Sequence, residues 1–154
     1  MYFLKRQQII DKPLDEVFNF FAKPENLAKI TPPSLGFKML SPSPVTMKEG
    51  ALIDYTIRLW VIPVRWTTLI TLFDPPHKFI DQQIRGPYSF WHHTHTFSKV
   101  GSGTSINDEV QYLLPLGILG NIAHGLWVKR QLKRIFAYRA QILSTYFNVD
   151  EARG

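Results

Sequence analysis

The sequence predicts an α+β fold: a curled antiparallel β-sheet wrapped around one long C-terminal α-helix, with two short helices after the first strand. Three observations predict it. From residue 36 to residue 114 the chain runs in segments rich in Ile, Val, Thr, Trp and Phe, separated by Pro, Gly and Asp turns. Beyond Pro115 this pattern gives way to a helical period sustained over 119–147. Between the first strand and the sheet, two apolar segments are cut apart by prolines. A sheet of about six strands must curl, and its concave face needs a cover. The last helix is the only element long enough to supply one.

Residues 2–10 (YFLKRQQII) form the first strand, ending before Asp11-Lys12-Pro13. Pro13-Leu14-Asp15-Glu16 opens a short helix, since proline needs no donor in a first turn and acids suit the helix dipole. Val17, Phe18, Phe20 and Phe21 are its apolar side. Pro24-Glu25 begins a second helix that runs to Ile30 and stops at Thr31-Pro32-Pro33. Phe37–Leu40 is a short strand. Residues 51–62 and 64–73 are two long strands turning around Pro63, and Asp74-Pro75-Pro76 turns the chain into 78–85. Gly86-Pro87 leads into the strand that carries Trp91 to Phe97, and a hairpin at Val100–Gly103 leads into 104–114. In the 119–147 helix, Val128, Leu132, Ile135, Phe136, Ile142, Leu143, Tyr146 and Phe147 share one stripe. Ile122 and Leu126 fall off it, so the first turns, near Gly117, Gly120 and Gly125, are expected to be irregular. Residues 1–154 read as one domain.

The stretch GPYSFWHHTHTF, residues 86–97, holds the most informative pattern. Strand side chains alternate, so Trp91, His93, His95 and Phe97 share a face while Phe90, His92, Thr94 and Thr96 take the other. Two histidines between two large aromatics suit a pocket wall. A two-residue turn at Ser102-Gly103 would set Phe97 opposite Asp108, His95 opposite Val110 and His93 opposite Tyr112. Asp108 then lies diagonal to His95 within hydrogen-bonding reach, and Asp81 approaches from the neighbouring strand. A carboxylate beside an imidazole fixes its tautomer and raises its pKa. Arg139 is the one charge inside the apolar helix stripe, and a buried arginine requires a carboxylate or an anionic ligand group.

Composition excludes several chemistries. The chain has no cysteine, which removes disulfides, thiolate nucleophiles and Cys-ligated metals. There is no apolar run of about eighteen residues to span a membrane, and Met1–Arg6 is too short an apolar stretch for a signal peptide. A cytoplasmic protein is expected. The net charge of +6 is concentrated at Lys129, Arg130, Lys133, Arg134 and Arg139. That run lacks stacking aromatics and any nucleic-acid motif. It reads as a solvated helix face, without specific nucleic-acid binding, and Lys129, Arg130, Lys133 and Arg134 admit weak contact with a membrane surface. The His-x-His spacing could chelate a metal, but no third ligand is evident in the sequence and none is expected. No phosphate-binding glycine loop or nucleophile elbow occurs, and no cofactor is implied.

The chain also resembles a known family. Val17-Phe18-Asn19-Phe20-Phe21 with Asn26-Leu27 and Thr31-Pro32-Pro33, and Asp81 to Gly86-Pro87-Tyr88, carry the likeness. So do Trp91, His93, His95 and Phe97, with Gly103-Thr104, Asp108, Val110 and Tyr112. It continues through Leu114-Pro115-Leu116-Gly117, Arg130-Gln131-Leu132 and Ile135 to Arg139. These resemble the bacterial ligand-binding SRPBCC proteins, polyketide cyclase/dehydrase-like members of the START/Bet v 1-like superfamily. The resemblance implies a helix-grip fold and a cavity for an apolar or lipid-like small molecule, and implies no particular reaction.

Three functions remain open. Asp81, Trp91, His93, His95, Phe97, Asp108, Tyr112 and Arg139 are the candidate ligand-binding residues of a cavity between sheet and helix. A His–Asp pair could instead act as general acid and base of a cyclase or dehydratase. Or the polar set satisfies itself inside an interaction or structural module. Oligomeric state is not legible.

Overall fold

The structure is a computed structural model that describes residues 1–59 and 61–153. Trp60, which falls in the predicted 51–62 strand, and Gly154 lie outside the described residues. The chain begins with β1 (Tyr2–Ile10), then α1 (Leu14–Phe21) and two 3-10 turns, Pro24–Ala28 and Pro33–Leu35. Six further strands follow: β2 (Lys38–Met39), β3 (Leu52–Leu59), β4 (Ile62–Asp74), β5 (Lys78–Arg85), β6 (Phe90–Val100) and β7 (Gly103–Leu113). The final helix comes in three pieces: α2 (Gly117–Ala123), a π turn (His124–Val128) and α3 (Lys129–Arg153). Among the described residues, seven strands form one antiparallel sheet in the order β1-β7-β6-β5-β4-β3-β2. This is the curled sheet around a long helix that the pattern predicts, and the helix-grip description fits it.

The elements form for local reasons that also aim their side chains. Along β6, Trp91, His93, His95 and Phe97 are buried and Phe90, His92, Thr94 and Thr96 are half-exposed, as strict alternation requires. On α3, Val128 at the π-turn end and Leu132, Phe136, Leu143 and Phe147 are buried, while Ile135 and Ile142 are half-buried and Tyr146 is exposed. The stripe therefore docks along its centre line and its edges stay partly open. Lys129, Arg130, Lys133 and Arg134 all face solvent.

Several local expectations are corrected. The second helix is a shorter 3-10 turn ending at Ala28, in a segment confined between Pro24 and the Pro32-Pro33 pair. The Phe37–Leu40 strand shrinks to Lys38–Met39. Pro63 is not the turn between β3 and β4 but lies within β4, opposite Arg58. The β6–β7 turn is Gly101-Ser102, with Val100 paired to Gly103. Gly101 has φ of 59° and Ser102 an ordinary φ, the backbone of a hairpin turn with glycine first. Gly103 is a glycine for another reason: a Cβ there would sit 2.6 Å from the Ile10 carbonyl oxygen of β1. The true register puts Phe97 opposite Ile106, His95 opposite Asp108, His93 opposite Val110 and Trp91 opposite Tyr112. The expected irregularity before Lys129 is the π turn, where one extra residue per turn resets the helix phase.

Candidate functional site

Between the concave face and the last helix lies a cavity of about 410 Å³. Its wall is apolar and aromatic: Phe20, Phe21, Ile30, Tyr55, Trp66, Tyr88, Trp91, Leu132 and Phe136 among others. Trp66 meets Trp91 edge-on at 5.3 Å between ring centres and lies parallel to Tyr55 at 5.9 Å. Into this wall the fold inserts one charged cluster: Asp81 from β5, His93 and His95 from β6, Asp108 from β7 and Arg139 from α3.

The cluster is assembled by register. Asp81 is the cross-strand partner of His93, and Asp108 that of His95. His93 Nε2 lies 2.8 Å from Asp108 Oδ1, and His95 Nε2 lies 2.6 Å from Asp81 Oδ2. The remaining ring nitrogens close the square more loosely, His93 Nδ1 at 3.6 Å from Asp81 Oδ2 and His95 Nδ1 at 3.1 Å from Asp108 Oδ1. The latter contact is off the line of a hydrogen bond, so His95 Nδ1 has no bonded partner. Arg139 Nη2 stands 3.7 Å from Asp108 Oδ1, and its guanidinium lies over the Phe21 and Phe136 rings at 4.9 and 5.7 Å. Arg139 Nε is buried without a partner, as is Trp66 Nε1.

Charge balance determines how the cluster ionises. Burial pushes both carboxylates up. For Asp81 the two histidines and Arg139 outweigh it; for Asp108 Arg139 and the histidine bonds do so more strongly, holding it well below the usual range. The imidazoles diverge. Burial and the neighbouring His95 push His93 down, whereas for His95 the two adjoining carboxylates, Asp108 and Asp81, overcome burial and push it up. Their ring centres are 3.7 Å apart. Two imidazolium ions that close would repel by about 4 kcal/mol at an effective dielectric of ~20. When the pair holds one proton, these opposite directions favour it on His95 over His93, and Arg139 with such an imidazolium would balance the two carboxylates.

Of the sequence-predicted residues, Asp81, Trp91, His93, His95 and Arg139 line the cavity. Asp108 does not reach it; it stands behind the histidines as their partner. Phe97 is packed away among Phe18, Phe21 and Phe79. Tyr112 turns its hydroxyl to His124 Nε2, 2.7 Å away, and that imidazole stacks on Tyr2 at 3.5 Å. Sequence reasoning passed over Tyr55, Trp66, Thr68 and Tyr88, which line the cavity. The first three could have been found by carrying the inward parity of β6 across to β3 and β4. Asp81, His93 and His95 also present one ligand atom each within 4.8 Å of one another, a geometry that could hold a metal ion.

The family model "Polyketide cyclase / dehydrase and lipid transport" matches residues 10–136. No curated protein matches the chain. Among solved structures, a protein from Thermus thermophilus is 15% identical with a TM-score of 0.71, covering 97% of this chain and 99% of its own. Protein Ms6760 from Mycobacterium smegmatis is 14% identical with a TM-score of 0.69, covering 96% and 92%. Ara h 8.0201 is 14% identical with a TM-score of 0.62, covering 93% and 98%. These likenesses concern the fold, and the family match concerns most of the sequence. The chain belongs to the polyketide cyclase/dehydrase and lipid transport family.

Proposed function

We propose that residues 1–154 form one domain that binds an apolar or lipid-like small molecule between sheet and helix, with Asp81, His93, His95 and Arg139 orienting its polar end. One observation carries the reading. Among the described residues, two buried N–H groups without a hydrogen-bond partner, Trp66 Nε1 and Arg139 Nε, belong to residues on the wall of one apolar cavity. Buried donors left unpaired are costly, at about 1–3 kcal/mol each. A guest that carries an oxygen acceptor on an apolar body supplies what they lack. The same atoms count against a cluster that merely satisfies itself.

The test is binding of a fluorescent fatty-acid probe, with native mass spectrometry of freshly purified protein to detect a co-purifying molecule. His93→Ala and His95→Ala are expected to weaken probe binding at least tenfold while the protein stays folded. Intact binding with a collapsed melting temperature would make the cluster structural and overturn the reading.

A second reading, a cyclase or dehydratase, draws on the opposed pKa directions of the two imidazoles. The pKa directions make His95 the better holder of a proton and His93 the readier to stay neutral on the same wall. Paired groups driven apart in this way are how acid and base roles divide in known sites.

A further inference from the structure

The doorway of the cavity has a character of its own. Leu116, Ile118, Leu119, Ile122 and Leu126 are between 54 and 79% exposed. An exposed aliphatic patch this dense marks an interaction surface. Leu116 and Leu119 also line the cavity, so the patch is continuous with its mouth. The next two turns, on the same outward side of the helix, carry the exposed cations Lys129, Arg130, Lys133 and Arg134. No acidic residue occurs between Glu109 and Asp150 to offset them.

We propose that the segment 116–134 docks the protein on an anionic lipid bilayer. Aliphatic side chains enter the boundary between headgroups and acyl chains, and the neighbouring cations rest on anionic headgroups. The grading along one helix face, apolar beside the cavity mouth and basic beyond it, matches the layering of such a membrane. A second copy of the chain is a poorer occupant, because a two-fold contact through this patch would bring both basic runs into one interface. Docking in this way would set the cavity mouth against the acyl layer, from which an apolar guest could enter without crossing water.

The experiment is co-sedimentation of the full chain with vesicles of phosphatidylcholine alone or mixed with phosphatidylglycerol, at physiological salt. Binding to the anionic vesicles is expected to exceed binding to neutral ones about tenfold, in keeping with the surface attraction of several cations. Ile118→Ser combined with Leu126→Ser is expected to lower binding to the anionic vesicles at least tenfold. Gln at Lys129, Arg130, Lys133 and Arg134 together should abolish the preference for them. All six positions are exposed, so melting curves should hardly move. Absence of binding to either vesicle, or binding that neither variant changes, overturns the proposal. So does a dimer that the Ile118→Ser, Leu126→Ser variant dissolves. Vesicle binding is read without the fatty-acid probe. Vesicles bound while the probe is not would sink the cavity reading alone, and the reverse would sink the docking surface alone.

Discussion

The two ends of the concave face are finished differently. At the Phe97 end of β6, side chains of α1 and the later turns of α3 fill the space: Phe18, Phe20, Phe21, Phe79, Ile106, Leu143 and Phe147 form one packed cluster. At the Trp91 end the wall is built of Tyr55, Trp66, Tyr88 and Trp91, and the opening turns of the last helix leave their aliphatic residues outside. The first end is hydrocarbon packed mostly against itself, with Phe20, Phe21 and Phe79 also reaching the cavity wall. The second has indole, phenol and imidazole groups around a hollow. His93 and His95 sit at the border, and the difference teaches that one sheet can pack its apolar surface for stability at one end and enclose a hollow with it at the other.

That contrast can be broken most forcefully at the packed end. Phe18→Ala removes a ring that is almost wholly buried against Phe73, Phe79 and Phe97, and is expected to cost about 3–5 kcal/mol in denaturant unfolding. Trp66→Phe, at the hollow end, deletes an N–H that has no partner and should leave stability within about 1 kcal/mol. Equal losses at the two sites would show that the hollow end is core as well. A smaller effect sharpens the border. Asp108→Asn removes the negative charge that faces His93 and Arg139 and puts an amide N–H in place of one buried carboxylate oxygen, and is expected to cost about 1–3 kcal/mol. Asp81→Asn should cost less, since that side chain keeps 18% of its area exposed against 10% for Asp108.

The smallest effect is one of pH. His95 has a raised folded pKa, so its contribution is fully present below the unfolded value of about 6.5 and is lost as pH rises through the folded one. His93 has a lowered folded pKa, so its contribution is present above about 6.5 and is lost as pH falls through the folded one. Melting temperatures of His95→Gln should therefore fall furthest below wild type at acidic pH, and those of His93→Gln at neutral and higher pH. Parallel shifts across the whole range would mean that the two rings share one environment.

Much of this site was legible because β-structure has a period of two. The expected β6–β7 register was displaced by two residues, which moved Asp108 from a diagonal to a direct neighbour of His95 but kept it on the same face. The displacement arose at Gly103, which looks like a turn glycine and is a strand glycine made necessary by the approach of β1. Arg139 was legible from helix phase alone, because it interrupts an apolar stripe. What the pattern could not convey is depth. Trp91 and Phe97 share a face and a strand, yet one lines the cavity and the other is sealed in the packed end, a matter of where α1 lies. The π turn and the exposed start of the helix, whose Leu116, Leu119, Trp127 and Val128 line the hollow, registered in the periodicity only as a failure of Ile122 and Leu126 to align.

The close approach of His93 and His95 sets a charge inventory that any occupant of the cavity would have to respect. Asp81 and Asp108 face Arg139 and two imidazoles whose pKa values are driven in opposite directions. A neutral guest would leave that inventory unchanged. An anionic guest beside the imidazoles would favour their charged forms, so its affinity is expected to rise with acidity and its heat of binding to depend on the buffer. Proton uptake would then report the charge of a ligand before its structure is known.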